Sequence, residues 1–96
     1  MLVELYARKD CVFCGKVRAW FARHQIPYIE HTVSGVDDFA RMQERLPGAR
    51  SIPQVVIDDH LIGGLDTLLR YEGPLLERLK GPTPPLDAAP AASPSS

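Results

Sequence analysis

The chain has two cysteines, no excess of charge of either sign and no long apolar run. Each shortage removes a class of protein. Two cysteines in 96 residues do not make the disulfide framework that staples small secreted domains. They also leave no second pair to complete a four-thiolate zinc site. The three histidines, His24, His31 and His60, stand at no short metal-ligand spacing from the cysteines, so no metal is expected. Eleven Lys and Arg against 12 Asp and Glu give a formal net charge of −1, which favours neither nucleic acid nor an anionic membrane as a partner. No apolar stretch approaches the ~20 residues that span a bilayer. Met1-Leu2-Val3-Glu4 places no basic residue ahead of its apolar run and meets a charge early, which does not read as a secretory signal. The expectation is a cytoplasmic monomer with one small domain, its 45% apolar content being ordinary for a globular core.

What is present is the pattern Cys11-Val12-Phe13-Cys14. It stands between a short apolar run and a stretch with helical periodicity, the layout of a thiol–disulfide redox site. The free N–H groups and positive dipole end of a helix N-terminus favour an anion, here the Cys11 thiolate. Cys14, one turn later, lies on the same side and can close a disulfide. Thiol–disulfide chemistry leads this reading, with a metal site and two structural thiols as the alternatives. A free thiol ionises near pH ~8.5 and helix-end thiols at roughly 3.5–7.5. The helix dipole, Arg8, Lys9 and Lys16 are expected to push Cys11 the same way.

In chain order, Leu2 to Ala7 reads as a strand with apolar residues on both sides. Arg8-Lys9-Asp10 is a polar turn, and Asp10 is a candidate helix cap whose charge Arg8 and Lys9 oppose. A helix from about Val12 to Gln25 aligns Val17, Trp20, Phe21 and His24 on one face. Pro27 is expected to end it by disfavouring helical geometry at Ile26. Residues 27–33 alternate as a second strand, so a βαβ unit with parallel strands is expected. Val36 to Leu46 is a second helix, stopped by Pro47-Gly48. Gln54 to Asp58 and His60 to Ile62 form a hairpin around Asp58-Asp59. After Gly63-Gly64, Asp66 or Thr67 can cap a last helix to about Leu79, interrupted at Gly73-Pro74. The order β-α-β-α-β-β-α matches an α/β thioredoxin-like fold: a four-stranded mixed sheet with helices on both faces. Residues 1–80 make the domain. Residues 81–96, with five of the nine prolines, read as a disordered Pro/Ala/Ser-rich tail or a proline-rich docking segment.

Ser51-Ile52-Pro53 precedes the third predicted strand. Pro53 reads either as a trans residue starting an edge strand or as a cis residue facing the dithiol, which leaves the Ile52 backbone open to a peptide.

Three motifs therefore stand in order: Cys11-Val12-Phe13-Cys14, Ser51-Ile52-Pro53 and Gly63-Gly64-Leu65-Asp66. Together they make the stretch from about Val3 to Leu79 resemble a glutaredoxin. The resemblance implies a glutathione-dependent thiol–disulfide oxidoreductase with Cys11 as nucleophile and Cys14 as resolving thiol. Its partners would be glutathione, as co-substrate, and disulfide-containing or glutathionylated proteins. The glutathione contacts it implies are Arg8 and Arg41 at the glycine carboxylate, Ile52 beside a cis Pro53 at the cysteinyl backbone, and Gly64, Leu65, Asp66 and Thr67 at the γ-glutamyl end. The sequence departs from the usual Cys-Pro-Tyr-Cys at Val12 and Phe13. Thr67 stands where an aspartate is common, and Asp66 either replaces that aspartate or caps the helix. The resemblance leaves two rival readings within the family. One is a redoxin fed by thioredoxin reductase that supplies electrons to ribonucleotide reductase. The other is a glutaredoxin that binds an iron–sulfur cluster between two copies.

Overall fold

The computed structural model describes residues 1–81, so the reading of a disordered tail lies outside the described residues. The elements are β1 (Val3–Ala7), α1 (Val12–Arg23), β2 (Ile29–Thr32), α2 (Gly35–Arg45), β3 (Gln54–Ile57), β4 (His60–Gly63), α3 (Leu65–Arg70) and α4 (Glu72–Lys80). They form one four-stranded sheet in the order β2-β1-β3-β4. β1 and β2 are parallel, whereas β1–β3 and β3–β4 are antiparallel. This is the thioredoxin-like α/β arrangement.

Period-two alternation in the two central strands divides the core. Val3, Leu5 and Ala7 of β1, with Val55 and Ile57 of β3, pack with Cys14, Val17, Trp20 and Phe21 of α1 and with Leu68 and Leu75 of α3 and α4. Val56 joins Val33, Met42, Leu46 and Ala49 in a second cluster, against which Tyr6 and Phe39 pack. The helical stripe of α1 is thus a core face, and α2 covers the opposite side of the sheet. Tyr6 belongs to that opposite side because it alternates with Leu5.

Three of the boundaries that differ from the sequence expectation have a local reason. First, α1 ends at Arg23, ahead of Pro27. Gln25 takes a left-handed conformation at φ 57°. The Ile26 amide donates to Phe21 O and the Gln25 amide to Ala22 O. This double closure is the Schellman ending, which usually has glycine at the left-handed position. Second, β3 ends at Ile57, so Asp58 belongs wholly to the expected Asp58-Asp59 turn. Asp58 and Asp59 both have positive φ, 50° and 67°, as a two-residue hairpin loop of the mirror-image type requires. Third, the last helical stretch breaks at Tyr71. Pro74 sits in the first turn of α4, where its missing N–H costs no helical bond.

One buried charge cluster was invisible in the sequence. Glu4 is 5% exposed on the α2 side of β1. Both its carboxylate oxygens accept from Arg45, at 2.7 and 2.8 Å, and Oε1 also meets His31 Nε2 at 2.8 Å. Arg45 further donates to Tyr6 Oη at 2.6 Å and to Asp59 at 2.8 Å. One guanidinium therefore ties α2 to β1 and to the hairpin turn. The Arg45 hydrogen bonds hold the Glu4 carboxyl well down, from an ordinary 4.5 to about 2, against the cost of burial.

Replacing Gln25 with Gly removes the steric cost of the left-handed residue and should stabilise the fold by about 1 kcal/mol, read from urea unfolding. A depressed folded-state pKa stabilises the fold at every pH above the unfolded value. The Glu4 contribution is therefore fully present above pH 4.5 and is lost as pH falls from there towards 2. A shift of that size corresponds to about 3 kcal/mol. Glu4→Gln should lower stability at pH 7 and flatten the acid limb of a stability–pH curve, and an unchanged acid limb would refute the assignment.

Candidate active site

The site begins where β1 hands the chain to α1 through Arg8, Lys9 and Asp10. The residue that caps α1 is Cys11 itself. It has extended geometry, φ −117° and ψ 121°, and its Sγ accepts from the Cys14 amide at 3.3 Å. The expectation that Asp10 caps this helix is corrected: the capping position, where a serine or aspartate oxygen is usual, holds a sulfur. Cys11 is half-buried and Cys14 fully buried, and the two are free thiols. The Arg8 amide donates to Cys14 Sγ at 3.4 Å.

The two thiols are driven apart in acidity. Burial works against charging Cys11, but it is outweighed by the hydrogen bond from the Cys14 side chain, by the amides of Cys14 and Phe13 and by the Arg18 charge, so its pKa is lowered. Burial pushes Cys14 up to about 11, and the neighbouring Cys11 adds to the rise. Arg18 adds a positive charge that favours ionisation of both sulfurs, a contribution outside the Arg8, Lys9 and Lys16 expected from the sequence. Such a pair sets the more acidic thiol towards the cleft and holds a protonated thiol in reserve behind it.

Facing the dithiol is the Arg50–Pro53 loop. A cleft of about 410 Å³ opens between the two, lined by Arg8, Asp10, Cys11, Phe39, Arg50, Ser51 and Ile52. The Ile52–Pro53 peptide is cis, as the family resemblance implied. Gly64 approaches this loop closely: a Cβ on it would lie 3.1 Å from Pro53 O. At Gly63, φ is 130° and a Cβ would meet Thr67 Oγ1 at 2.5 Å. The glycine pair therefore folds the start of α3 against the proline loop. Beyond Cys11, Val12 and Phe13 project outward, 73% and 58% exposed.

Not every expected site residue gathers here. Arg8, Ile52, Pro53 and Gly64 do, and Leu65 and Thr67 continue from Gly64 into α3. Neither Asp66 nor Thr67 caps that helix, because Gly64 occupies the N-cap. Asp66 is in the first turn and pairs with Arg70 at 3.2 Å. Arg41 turns elsewhere. It pairs with Asp38 and lines a separate cleft with Tyr6, His31, Met42 and Arg45. The second cation at the dithiol cleft is Arg50, which the sequence reading passed over. Its position one residue ahead of Ser51-Ile52-Pro53 was the available signal. Among the described residues, no group of three or more His, Cys, Asp or Glu converges as a metal site would require. No helix among them is long and apolar enough to cross a membrane.

Comparison with known proteins agrees with this geometry. A glutaredoxin family profile matches residues 3–62. The chain is 37% identical to a probable glutaredoxin of Synechocystis over 73 residues, 74% of this chain and 82% of that one. It is 29% identical to glutaredoxin 3 of Escherichia coli over 68 residues, 69% of this chain and 80% of that one. The solution structure of a Brucella melitensis glutaredoxin superposes with a TM-score of 0.70 at 34% identity, covering 83% of this chain and 89% of that one.

The acidity split predicts selective alkylation. At pH 7 Cys11 should react with iodoacetamide far faster than Cys14, and its rate–pH midpoint should lie below that of an ordinary thiol. Mass spectrometry of each site against pH measures both, and equal midpoints would sink the assignment.

Proposed function

The chain belongs to the glutaredoxin family, whose chemistry is thiol–disulfide exchange, and on that premise we propose that it is a glutathione-dependent oxidoreductase acting through Cys11 and Cys14. Its substrates in this reading are protein disulfides and mixed disulfides of proteins with glutathione. The observation that carries the proposal is the pairing of a half-buried, acidified Cys11 with a cleft that holds two arginines, Arg8 and Arg50.

The reaction runs in two exchanges. The Cys11 thiolate attacks one sulfur of a substrate disulfide, forming a mixed disulfide and expelling the other sulfur as a thiolate that takes up a proton. Two routes then release Cys11. With a glutathione adduct, a second glutathione thiolate attacks the glutathione sulfur, giving oxidised glutathione and free Cys11. With a protein adduct, Cys14 attacks Cys11, forming the internal disulfide and freeing the reduced protein. Two glutathione molecules then return the pair to dithiol.

The cleft suits glutathione in three ways. Arg8 and Arg50 offer cations to the glycine carboxylate. The Ile52 backbone, held beside cis Pro53, offers a strand-like edge to the cysteinyl unit. In this reading the backbone N–H groups that open α3 at Gly64, Leu65, Asp66 and Thr67 would take the γ-glutamyl end, and Asp66 would exchange its pairing with Arg70 for the glutathione ammonium.

Glutathione oxidation coupled to its reductase tests the proposal. Cys14→Ser should still reduce a small glutathione mixed disulfide while losing reduction of a protein disulfide, and Cys11→Ser should lose both. Arg8→Ala and Arg50→Ala should each raise the glutathione KM by about fivefold, equivalent to ~1 kcal/mol for a partly exposed charge contact. A wild type without glutathione dependence overturns the reading in favour of a redoxin fed by thioredoxin reductase.

A further inference from the structure

Arg18 lies one helical turn beyond Cys14, off the buried face of α1 that carries Cys14, Val17, Trp20 and Phe21. In the fold it is a strut. Its Nε and Nη2 donate to the two Glu30 oxygens of β2 at 2.9 and 2.8 Å. Nη2 also donates to the backbone oxygen of Arg8 at 2.9 Å. The pair is only 29% and 28% exposed, so the fork is held in one geometry. Arg8 is thus gripped from both sides of its α-carbon: its carbonyl by Arg18, its amide by the sulfur of Cys14.

We propose that Arg18, anchored by Glu30, is the positioning residue of the resolving step: it fixes the Arg8 backbone so that the Arg8 amide holds Cys14 Sγ ready to attack Cys11. The inference rests on dithiol exchange and is independent of glutathione.

Conversion of Cys11 to a mixed disulfide changes the surroundings of Cys14. In the reduced pair, Cys14 is kept protonated by burial and by the hydrogen bond and charge of Cys11. Once the Cys11 sulfur is covalently occupied, that charge is gone. The influences left to favour a Cys14 thiolate are the Arg8 amide and the Arg18 charge. Both depend on the strut. The titratable groups around it are Cys11 from the N-cap and Cys14 from α1, Arg8 from the turn, and Glu30 and Tyr28 beside Arg18. In the step itself, Cys14 gives its proton to solvent and its sulfur bonds to Cys11. The substrate sulfur leaves with the electron pair of the old S–S bond. Charge on Arg18 lowers the pH at which Cys14 ionises, whereas the fork to Arg8 O and Glu30 sets where the sulfur sits.

Reaction with the aromatic disulfide 5,5′-dithiobis(2-nitrobenzoate) separates the steps without glutathione. One coloured thiolate is released as Cys11 attacks and a second as Cys14 resolves the adduct. Cys14→Ser must lose the second release. Arg18→Gln should raise the pH midpoint of the second release and lower its high-pH plateau by about tenfold, the loss expected for a hydrogen bond to a charged group. The first release should change far less. Arg18→Lys keeps the charge without the planar fork, so it should restore the midpoint but not the plateau. Glu30→Gln keeps Arg18 charged and loosens its anchor, so it should lower the plateau at an unchanged midpoint. If Arg18→Gln does not fold, Arg18→Lys and Glu30→Gln decide the question by these signatures. Wild-type plateaus in both, or equal slowing of the two releases, overturn the proposal.

Discussion

The Cys14 amide donates to the sulfur of Cys11 at 3.3 Å, and this contact makes the start of a helix and the acidity of a thiol the same event. An N-cap side chain satisfies amides that the first turn leaves without partners. Here the acceptor is a sulfur, which serves best when ionised. Folding of α1 therefore favours the thiolate, and the thiolate favours α1. Joining Cys11 to Cys14 in a disulfide discharges that sulfur, so the reduced pair gains from the helix end in a way that the oxidised pair does not.

The contact needs a rigid frame, and the two-faced core supplies it. Cys14 is fully buried among β1, α1 and α3 residues, which fixes the depth of the resolving sulfur and keeps it protonated. The opposing loop is held through Ile52, which packs against both core clusters, and through the close approach of Gly64 to Pro53. Glu4 and Arg45 lock α2 to the same central strand. The site is thus set between elements that pack tightly, while the apolar spacer residues Val12 and Phe13 stand clear of them at the rim.

Much of this was legible because it is local. The cysteine spacing, the alternation in β1 and β3, the stripe of Val17, Trp20 and Phe21 and the order of elements all follow from periods of two and 3.6 residues that neighbours in sequence define. Where the sequence misled, a local rule met a competitor. Pro27 marked a helix end that the left-handed Gln25 had already made. Asp10 looked like a cap, but the next residue took the position.

Residue identity and spacing carry the chemistry: two thiols three apart at a helix start, a proline loop and a glycine pair in the order of one family. Which charges act on those thiols depends on packing between distant segments. Arg18 reaches the Arg8 carbonyl because β2 brings Glu30 alongside it, Arg50 replaces Arg41 at the cleft because Asp38 holds Arg41 elsewhere, and Glu4 is buried because α2 lays Arg45 over β1. A charge acts through distance and burial, and no sequence period encodes those across elements far apart in the chain.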